Sequence, residues 1–173
     1  PDLIVIPDYI TRASMQMKYW HKELPKARFL GGDGFGGKKM FQEVMGPIEG
    51  LEVYYSTHWH EDVPTSRGKK FAQKYRALYP TEDPTSGAAM TYDAIEIFDR
   101  TLALEKMNSS NWDADRLGKR LKKIRFQSTL GEVSFAKNDN SPQKPLVIVR
   151  YVNGRHEFEE VFPKQMHEFS YAK

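Results

Sequence analysis

Short apolar runs alternate with amphipathic segments over the first half of the chain. The runs, each typical of a strand, are Leu3–Ile6, Phe29–Leu30 and Leu51–Thr57. Apolar residues at helical spacing follow each run, in the segments 13–24, 38–45 and 71–78. This alternation predicts a parallel sheet that is covered by helices on both faces. The continuous apolar character of Leu3–Ile6 predicts a strand buried on both faces, and Thr11 is the predicted N-cap of the first helix.

The second half of the chain passes from helical patterns to strand patterns. Two helices are predicted, over Ala88–Met107 and over the basic segment Trp112–Lys123. Gly131–Phe135 then alternates like a strand. Two β-prone segments flank Asn153-Gly154, a strong signal for a two-residue hairpin turn. We therefore expect a terminal antiparallel hairpin, formed by Leu146–Val152 and His156–Phe162.

The glycine-rich stretch RFLGGDGFGGKK, residues 28–39, lies between a predicted strand and a predicted helix. Gly32, Gly34 and Gly37 satisfy the G-x-G-x-x-G spacing of dinucleotide-binding proteins. That motif also needs an acid at the end of the next strand, and none is present there. Asp33 would repel a phosphate, and Lys39 stands where the alternative P-loop motif needs Ser or Thr. A nucleotide-binding α/β enzyme is therefore the less favoured interpretation, and no cofactor is expected.

Asp33 has the charge that suits a cationic group. At the carboxyl end of a parallel strand, its carboxylate can accept a charge-assisted hydrogen bond from a ligand ammonium. The alternative is that Asp33 caps the helix that starts near Lys38, or a turn. Tyr9 ends the first strand as Asp33 ends the second, so both side chains can line one crevice.

The remaining polar motifs give weaker indications. His58 and His60 form a potential metal pair without an evident third ligand, so surface histidines and no metal are expected. The chain has no cysteine and no nucleophile–base motif, and it is not predicted to be an enzyme. Asn108-Ser109-Ser110 is a glycosylation sequon that chance explains equally well.

The overall charge and hydropathy narrow the functional classes. A net charge of +3, with no stacking aromatics on the basic segment 116–125, favours a solvated surface over nucleic-acid binding. There is no run of about 18 apolar residues, so no membrane span is expected. No signal peptide is visible, and the opening at Pro1 resembles the interior of a domain.

Several motifs, taken in order, resemble one family. They are PDLIVIPDY, RFLGGDGF, GPIEGLEVYYSTHW, the F-x-x-K-Y-x-x-x-Y-P segment, TYDAIEIF, and the ending LGEVSFAKND…PLVIVRYVNG. The chain resembles the C-terminal part of type I periplasmic solute-binding proteins of the branched-chain amino-acid type. The resemblance implies a three-layer parallel-sheet lobe, helices belonging to the other lobe, and a C-terminal antiparallel hairpin.

The resemblance also implies a domain organisation. It assigns residues 1–60 and 130–173 to the second ligand-binding lobe, and residues 61–129 to helices and hinge segments of the first lobe. Most of the first lobe is then missing, and the chain is expected to be a fragment. The apolar stripes of the helices that begin near Ala88 and Trp112 would be exposed, and are expected to find another copy, a swapped element or the missing N-terminal lobe.

The resemblance further implies a function. The protein is expected to be the substrate-binding component of an ABC-type transporter, periplasmic or extracellular, with a membrane permease as its partner. Its ligand would be an amino acid or a similar small polar solute, held between two lobes by Tyr9, Gly32, Asp33 and Gly34, with Gly87 or Ala88 on the hinge side. The alternative within the same fold is an amino-acid or amide sensor domain.

Overall fold

The computed structural model describes residues 1–35, 38–108, 110–135 and 141–162. Gly37, Ser109 and the last ten residues, which carried expectations above, lie outside the described residues. The helices are α1 (Ile10–Glu23), α2 (Lys38–Met45), α3 (Ser66–Leu78), α4 (Ser86–Glu105) and α5 (Ala114–Leu121). The strands are β1 (Leu3–Ile6), β2 (Arg28–Gly31), β3 (Glu52–Thr57), β4 (Arg125–Gln127), β5 (Glu132–Phe135), β6 (Pro142–Gln143), β7 (Leu146–Val152) and β8 (Arg155–Phe162). No helix in these ranges combines the length and apolar character that crossing a bilayer requires.

The backbone divides into two compact units. Among the described residues, the first contains 1–60 and 146–162, and the second contains 61–145. Each unit carries its own sheet, with strand order β1-β2-β3-β7-β8 in the first and β4-β5-β6 in the second. The assignment of residues to the two ligand-binding lobes stays a prediction.

The sheet of the first unit is parallel at one side and antiparallel at the other. β1 pairs with β2, and β2 with β3, in parallel. β7 runs antiparallel to both β3 and β8, so the predicted terminal hairpin is confirmed. Its turn uses positive φ at Asn153 (51°) and Gly154 (78°), as a two-residue hairpin turn requires.

One face of this sheet packs against α1 and α2. Phe29, Val53 and Tyr151 are buried at 0%, 0% and 1% exposure. The Phe41 ring of α2 stacks on Tyr55, with 5.6 Å between ring centroids, and lies 4.6 Å from Tyr151. Burial of aromatic rings on this scale supplies much of the stability of a small unit. The core of the first unit therefore lies between these helices and the sheet.

The prediction that Leu3–Ile6 is buried on both faces is wrong. Ile6 is 3% exposed, but Leu3 and Val5 on the other face are 49% and 60% exposed. β1 is the edge strand of the described sheet, and its only paired neighbour there is β2. A run of apolar residues indicates potential for burial, but cannot show whether a second layer covers the strand.

The prediction that Thr11 caps the first helix is also wrong. The N-cap of α1 is Tyr9, and its side chain makes no capping hydrogen bond. Asp8 makes the polar side-chain contacts at this turn. Its Oδ1 accepts a hydrogen bond from the Tyr9 N–H at 2.7 Å and another from Arg12. Thr11 therefore lies within the first turn of α1.

The second unit contains three helices with side-chain N-caps. Thr65, Thr85 and Asp113 each accept a hydrogen bond from a backbone N–H of the following helix. Asp93 of α4 accepts from Thr129, through the backbone N–H at 2.9 Å and the hydroxyl at 2.7 Å. This contact fixes α4 to the loop between β4 and β5.

The expected exposure of the helix stripes is confirmed for α4 and wrong for α5. Ile95, Phe98 and Leu104 of α4 are 64%, 42% and 48% exposed. Leu117 and Ile124, at the other helix, are each 6% exposed. The basic helix packs on α4, where Arg116 donates to Glu105 at 2.8 Å. Its apolar stripe is therefore buried within the second unit itself.

Candidate functional site

Tyr9 and Asp33 follow two neighbouring parallel strands at the same edge of the sheet. The register pairs Ile6, the last residue of β1, with Gly31, the last residue of β2. Tyr9 is the N-cap of α1, and Asp33 opens a short 3-10 helix, Asp33–Phe35. Both residues line one open cavity in the first unit. The parallel pairing therefore brings the two predicted residues together.

Glycine at position 34 permits the two turns to approach each other. A Cβ atom there would lie 3.0 Å from the backbone oxygen of Asp8 and 3.5 Å from a ring carbon of Tyr9. Gly32 differs, because a Cβ atom there would meet nothing within 4 Å. Gly34 thus has a packing reason to be glycine, whereas Gly32 faces open space beside Asp33.

The Asp33 carboxylate is mostly open to solvent. Its side chain is 67% exposed, and its Oδ2 lies 3.3 Å from Nε2 of His58. Within the described ranges no lysine or arginine forms an ion pair with Asp33. Asp33 therefore retains acceptor capacity for a group that enters the cavity.

Asp8 also lines the cavity, and its carboxylate is already engaged. Its side chain is 19% exposed, and Arg12 lies 2.7 Å away. The hydrogen bond from Arg12, followed by the one from the Tyr9 N–H, holds the pKa of Asp8 below its usual value. Sequence reasoning did not assign Asp8 a role, although the D-x-x-x-R spacing of a helical ion pair was visible.

Tyr9 lines the cavity with a side chain that is exposed and a backbone that is engaged in the turn. The residue is 72% exposed, and its carbonyl oxygen accepts from the Ala13 N–H at 2.9 Å, which starts α1. A tyrosine ring offers an apolar face together with one hydroxyl group. Both remain available for a small ligand.

The cavity has a volume of about 930 Å³ and an apolar wall. The wall includes Val5, Leu30, Ile148 and Phe162, from four strands of the sheet. Sequence reasoning missed Ile148 and Phe162, because their place depends on the antiparallel pairing of β7 with β3 and β8. The cavity therefore combines the open Asp33 carboxylate, the Tyr9 ring and apolar surface.

The two histidines of the predicted pair face different neighbours. His58 approaches Asp33, while the His60 ring lies beside Phe158 with 6.0 Å between centroids. In the part of the chain that the structure describes, no cluster of three or more metal-ligating side chains is found.

A model of the family described as "Periplasmic binding protein" matches residues 31–156 of the 173 residues. The chain belongs to this family. Members of the periplasmic binding protein family are solute-binding proteins and not enzymes, which agrees with the expectation from the sequence and disfavours the nucleotide-dependent enzyme. A search of curated proteins gives no match.

Solved structures of periplasmic binding proteins share the fold. The leucine-binding protein LivK of Thermotoga maritima is 22% identical, with a TM-score of 0.76 over 93% of this chain and 44% of its own. LivJ of Streptococcus pneumoniae, in complex with isoleucine, is 22% identical, with a TM-score of 0.72 over 92% and 43%. A solute-binding protein of R. palustris, in complex with benzoate, is 13% identical, with a TM-score of 0.70 over 93% and 43%. The chain spans less than half the length of these proteins.

The two remaining predicted residues belong to the second unit of this periplasmic binding protein. Gly87 and Ala88 lie in the first turn of α4, where the Ala88 N–H donates to Thr85 Oγ1 at 3.1 Å. Neither residue lines the cavity at Tyr9 and Asp33. The structure thus brings together Tyr9, Gly32, Asp33 and Gly34, and leaves the hinge-side contribution as a prediction.

Proposed function

We propose that this chain forms one side of the ligand site in the substrate-binding component of an ABC-type transporter. The ligand is an amino acid of the branched-chain type or a similar small polar solute. The observation that carries the proposal is the pairing of an open carboxylate, Asp33, with the Tyr9 ring in one cavity.

The cavity chemistry matches the parts of a zwitterionic ligand. The ligand ammonium donates to Asp33, an interaction that contributes about 1.5–3 kcal/mol when one partner is charged. The Tyr9 ring covers the ligand, and its aliphatic side chain lies toward Val5 and Ile148 of the apolar wall. A polar solute without an ammonium group would make less use of Asp33.

The proposal that this chain forms only one side of the ligand site is supported by the share of each related structure that it matches. The structural match with the Thermotoga protein covers 93% of this chain but only 44% of that protein. We infer that the complete protein has a further lobe, which supplies the contacts to the ligand carboxylate. The protein then acts in the periplasm or outside the cell, closes its lobes around the solute, and delivers it to a membrane permease.

Ligand binding by the complete gene product tests the proposal. The twenty amino acids and a set of nucleotides are compared by thermal shift, followed by calorimetry for those that stabilise the protein. Asp33→Ala should weaken the affinity for the best amino acid by roughly tenfold to hundredfold, because it removes a charge-assisted hydrogen bond. Asp2→Ala, at an exposed acid before β1, is the matched control and should leave affinity unchanged.

Two outcomes would contradict the proposal. One is stabilisation by nucleotides and by no amino acid, and the other is unchanged affinity in the Asp33→Ala protein. Amino-acid uptake into proteoliposomes that contain the permease separates a transport component from a sensor domain, which would bind the ligand without supporting uptake.

A further inference from the structure

His58 lies beside the carboxylate to which the ligand ammonium is assigned. Its Nε2 atom is 3.3 Å from Asp33 Oδ2, and its side chain is 30% exposed while that of Asp33 is 67% exposed. The two residues are 25 positions apart and meet because β2 and β3 are parallel neighbours, so both chain ends emerge at the same edge. The contact is thus a product of the fold and not of a local turn.

We propose that His58 is a positioning residue that makes ligand capture at Asp33 dependent on pH. This inference rests on the proposed function, since it assumes that a ligand ammonium approaches Asp33. Neutral His58 steadies one carboxylate oxygen and leaves the charge of Asp33 for the ligand. Protonated His58 neutralises that charge and repels the ammonium.

The two protonation states of His58 differ in their charge and in the strength of their hydrogen bond to Asp33. A neutral imidazole donates an ordinary hydrogen bond, whereas an imidazolium forms a charge-assisted pair that is roughly twice as strong. Histidine side chains ordinarily titrate near pH 6.5, so the change falls within the range that an extracytoplasmic protein meets. Ligand affinity is therefore highest above this pH and falls below it.

The other charged groups around the pair do not produce this response. They are Asp8, Arg12 and Glu160, which line the cavity, together with Lys38 and His60, which follow Asp33 and His58 in the chain. Carboxylates, lysine and arginine keep their charge between pH 5.5 and pH 7.5 in ordinary surroundings. His60 is the other histidine of this segment, and it therefore provides the matched control.

The test measures the affinity of the complete gene product for L-leucine, or for the tightest amino acid of the panel, at pH 7.5, 6.5 and 5.5. A second positive charge about 4 Å from the ammonium in water-like surroundings weakens binding by about fivefold. The natural protein and His60→Gln should both lose about this factor between pH 7.5 and pH 5.5. His58→Gln, which retains a donor without a titratable charge, should lose less than twofold.

Two measurements on the unmodified protein make the test independent of the variants. Calorimetry at pH 6.5 in two buffers of different ionisation enthalpy should show proton release on ligand binding. NMR titration should show that the ligand lowers the pKa of the His58 imidazole. Absence of both effects, or a parallel loss of affinity in His58→Gln and the natural protein, overturns the inference.

These outcomes differ from a failure of the proposed function. If no amino acid binds at pH 7.5, or if Asp33→Ala binds as well as the natural protein, the ligand assignment itself is wrong. If an amino acid binds through Asp33 and the pH response does not depend on His58, only the role of His58 is wrong.

Discussion

His156 provides a sharp test of the packing in the first unit, because its half-buried ring lies in an aromatic cluster where the neutral form is favoured. The pKa of His156 is lowered to about 4, mainly because the ring is withdrawn from solvent. The positive charge of Lys38 and the proximity of His60 lower the pKa further. Its Nδ1 atom lies 2.8 Å from the Tyr55 hydroxyl, and its ring lies 5.1 Å from Phe41 and 5.0 Å from Tyr151. Protonation of His156 would place a charge in this aromatic cluster.

The sign of the effect on stability follows from the direction of the shift. The pKa of His156 is lower in the folded protein than the ordinary value of about 6.5, so the unfolded chain binds a proton more readily. Stability is therefore complete above pH 6.5 and is lost as the pH falls toward 4. For a pKa of about 4, linkage gives a loss of about 2 kcal/mol between pH 7 and pH 5. Because the ring is half-buried, solvent screening reduces the expected loss to about 1 kcal/mol.

The assay is urea unfolding at pH 7 and pH 5 of three proteins: the natural chain, His156→Gln, and the control His21→Gln. His21 is a suitable control because it lies near the C-terminal end of α1 and contacts the Glu49 carbonyl oxygen at 3.1 Å, outside the aromatic cluster. His156→Gln should be less stable at pH 7, since it loses ring packing, but its free energy of unfolding should vary less with pH. Equal pH dependence in His156→Gln and His21→Gln, or an NMR titration of His156 near pH 6.5, would refute the reasoning.

Two further predictions concern the site turn and the exposed helix. Gly34→Ala should lower the free energy of unfolding by about 1 kcal/mol and weaken ligand binding, because the added Cβ meets a backbone oxygen at 3.0 Å. Gly32→Ala, with nothing within 4 Å, should do neither, and denaturant unfolding with calorimetry compares the two. The exposed stripe of α4 should cause the isolated chain to self-associate, and Ile95→Glu should reduce that association in sedimentation velocity. A chain that stays monomeric at all concentrations without the substitution would contradict this last expectation.

The sequence indicated that Tyr9 and Asp33 lie at one edge of the sheet, while their role in binding stays a prediction. Tyr9 and Asp33 were identifiable because each follows an apolar run, and the carboxyl ends of parallel strands lie at one edge of the sheet. His58 was visible only as a member of a histidine pair, because its contact with Asp33 joins residues 25 positions apart. Ile148 was beyond prediction for a related reason, since its position opposite Ser56 is set by the register of β3 and β7.

The sequence could not predict which apolar surfaces find a covering layer. The stripes of α4 and α5 have the same helical spacing, yet Ile95 is 64% exposed and Leu117 is 6% exposed. α5 packs on α4, where Arg116 and Arg120 pair with Glu105, and this contact joins residues that helical spacing alone does not relate. Val5 illustrates the same limit in a strand, because it is 60% exposed whereas its neighbour Ile6, on the other face, is 3% exposed.

The carboxylates of Asp8 and Asp33 explain why this edge of the cavity suits a singly charged group. Asp8 and Asp33 occupy adjacent turns, and two free carboxylates there would favour a divalent cation. Arg12 donates to Asp8 at 2.7 Å and 3.0 Å, which neutralises that carboxylate and occupies one of its oxygens. Asp33, by contrast, keeps a side chain that is 67% exposed and a contact of 3.3 Å to a histidine. These two turns therefore present one unneutralised negative charge when His58 is neutral, which matches the ammonium of an amino acid, and none when His58 is protonated.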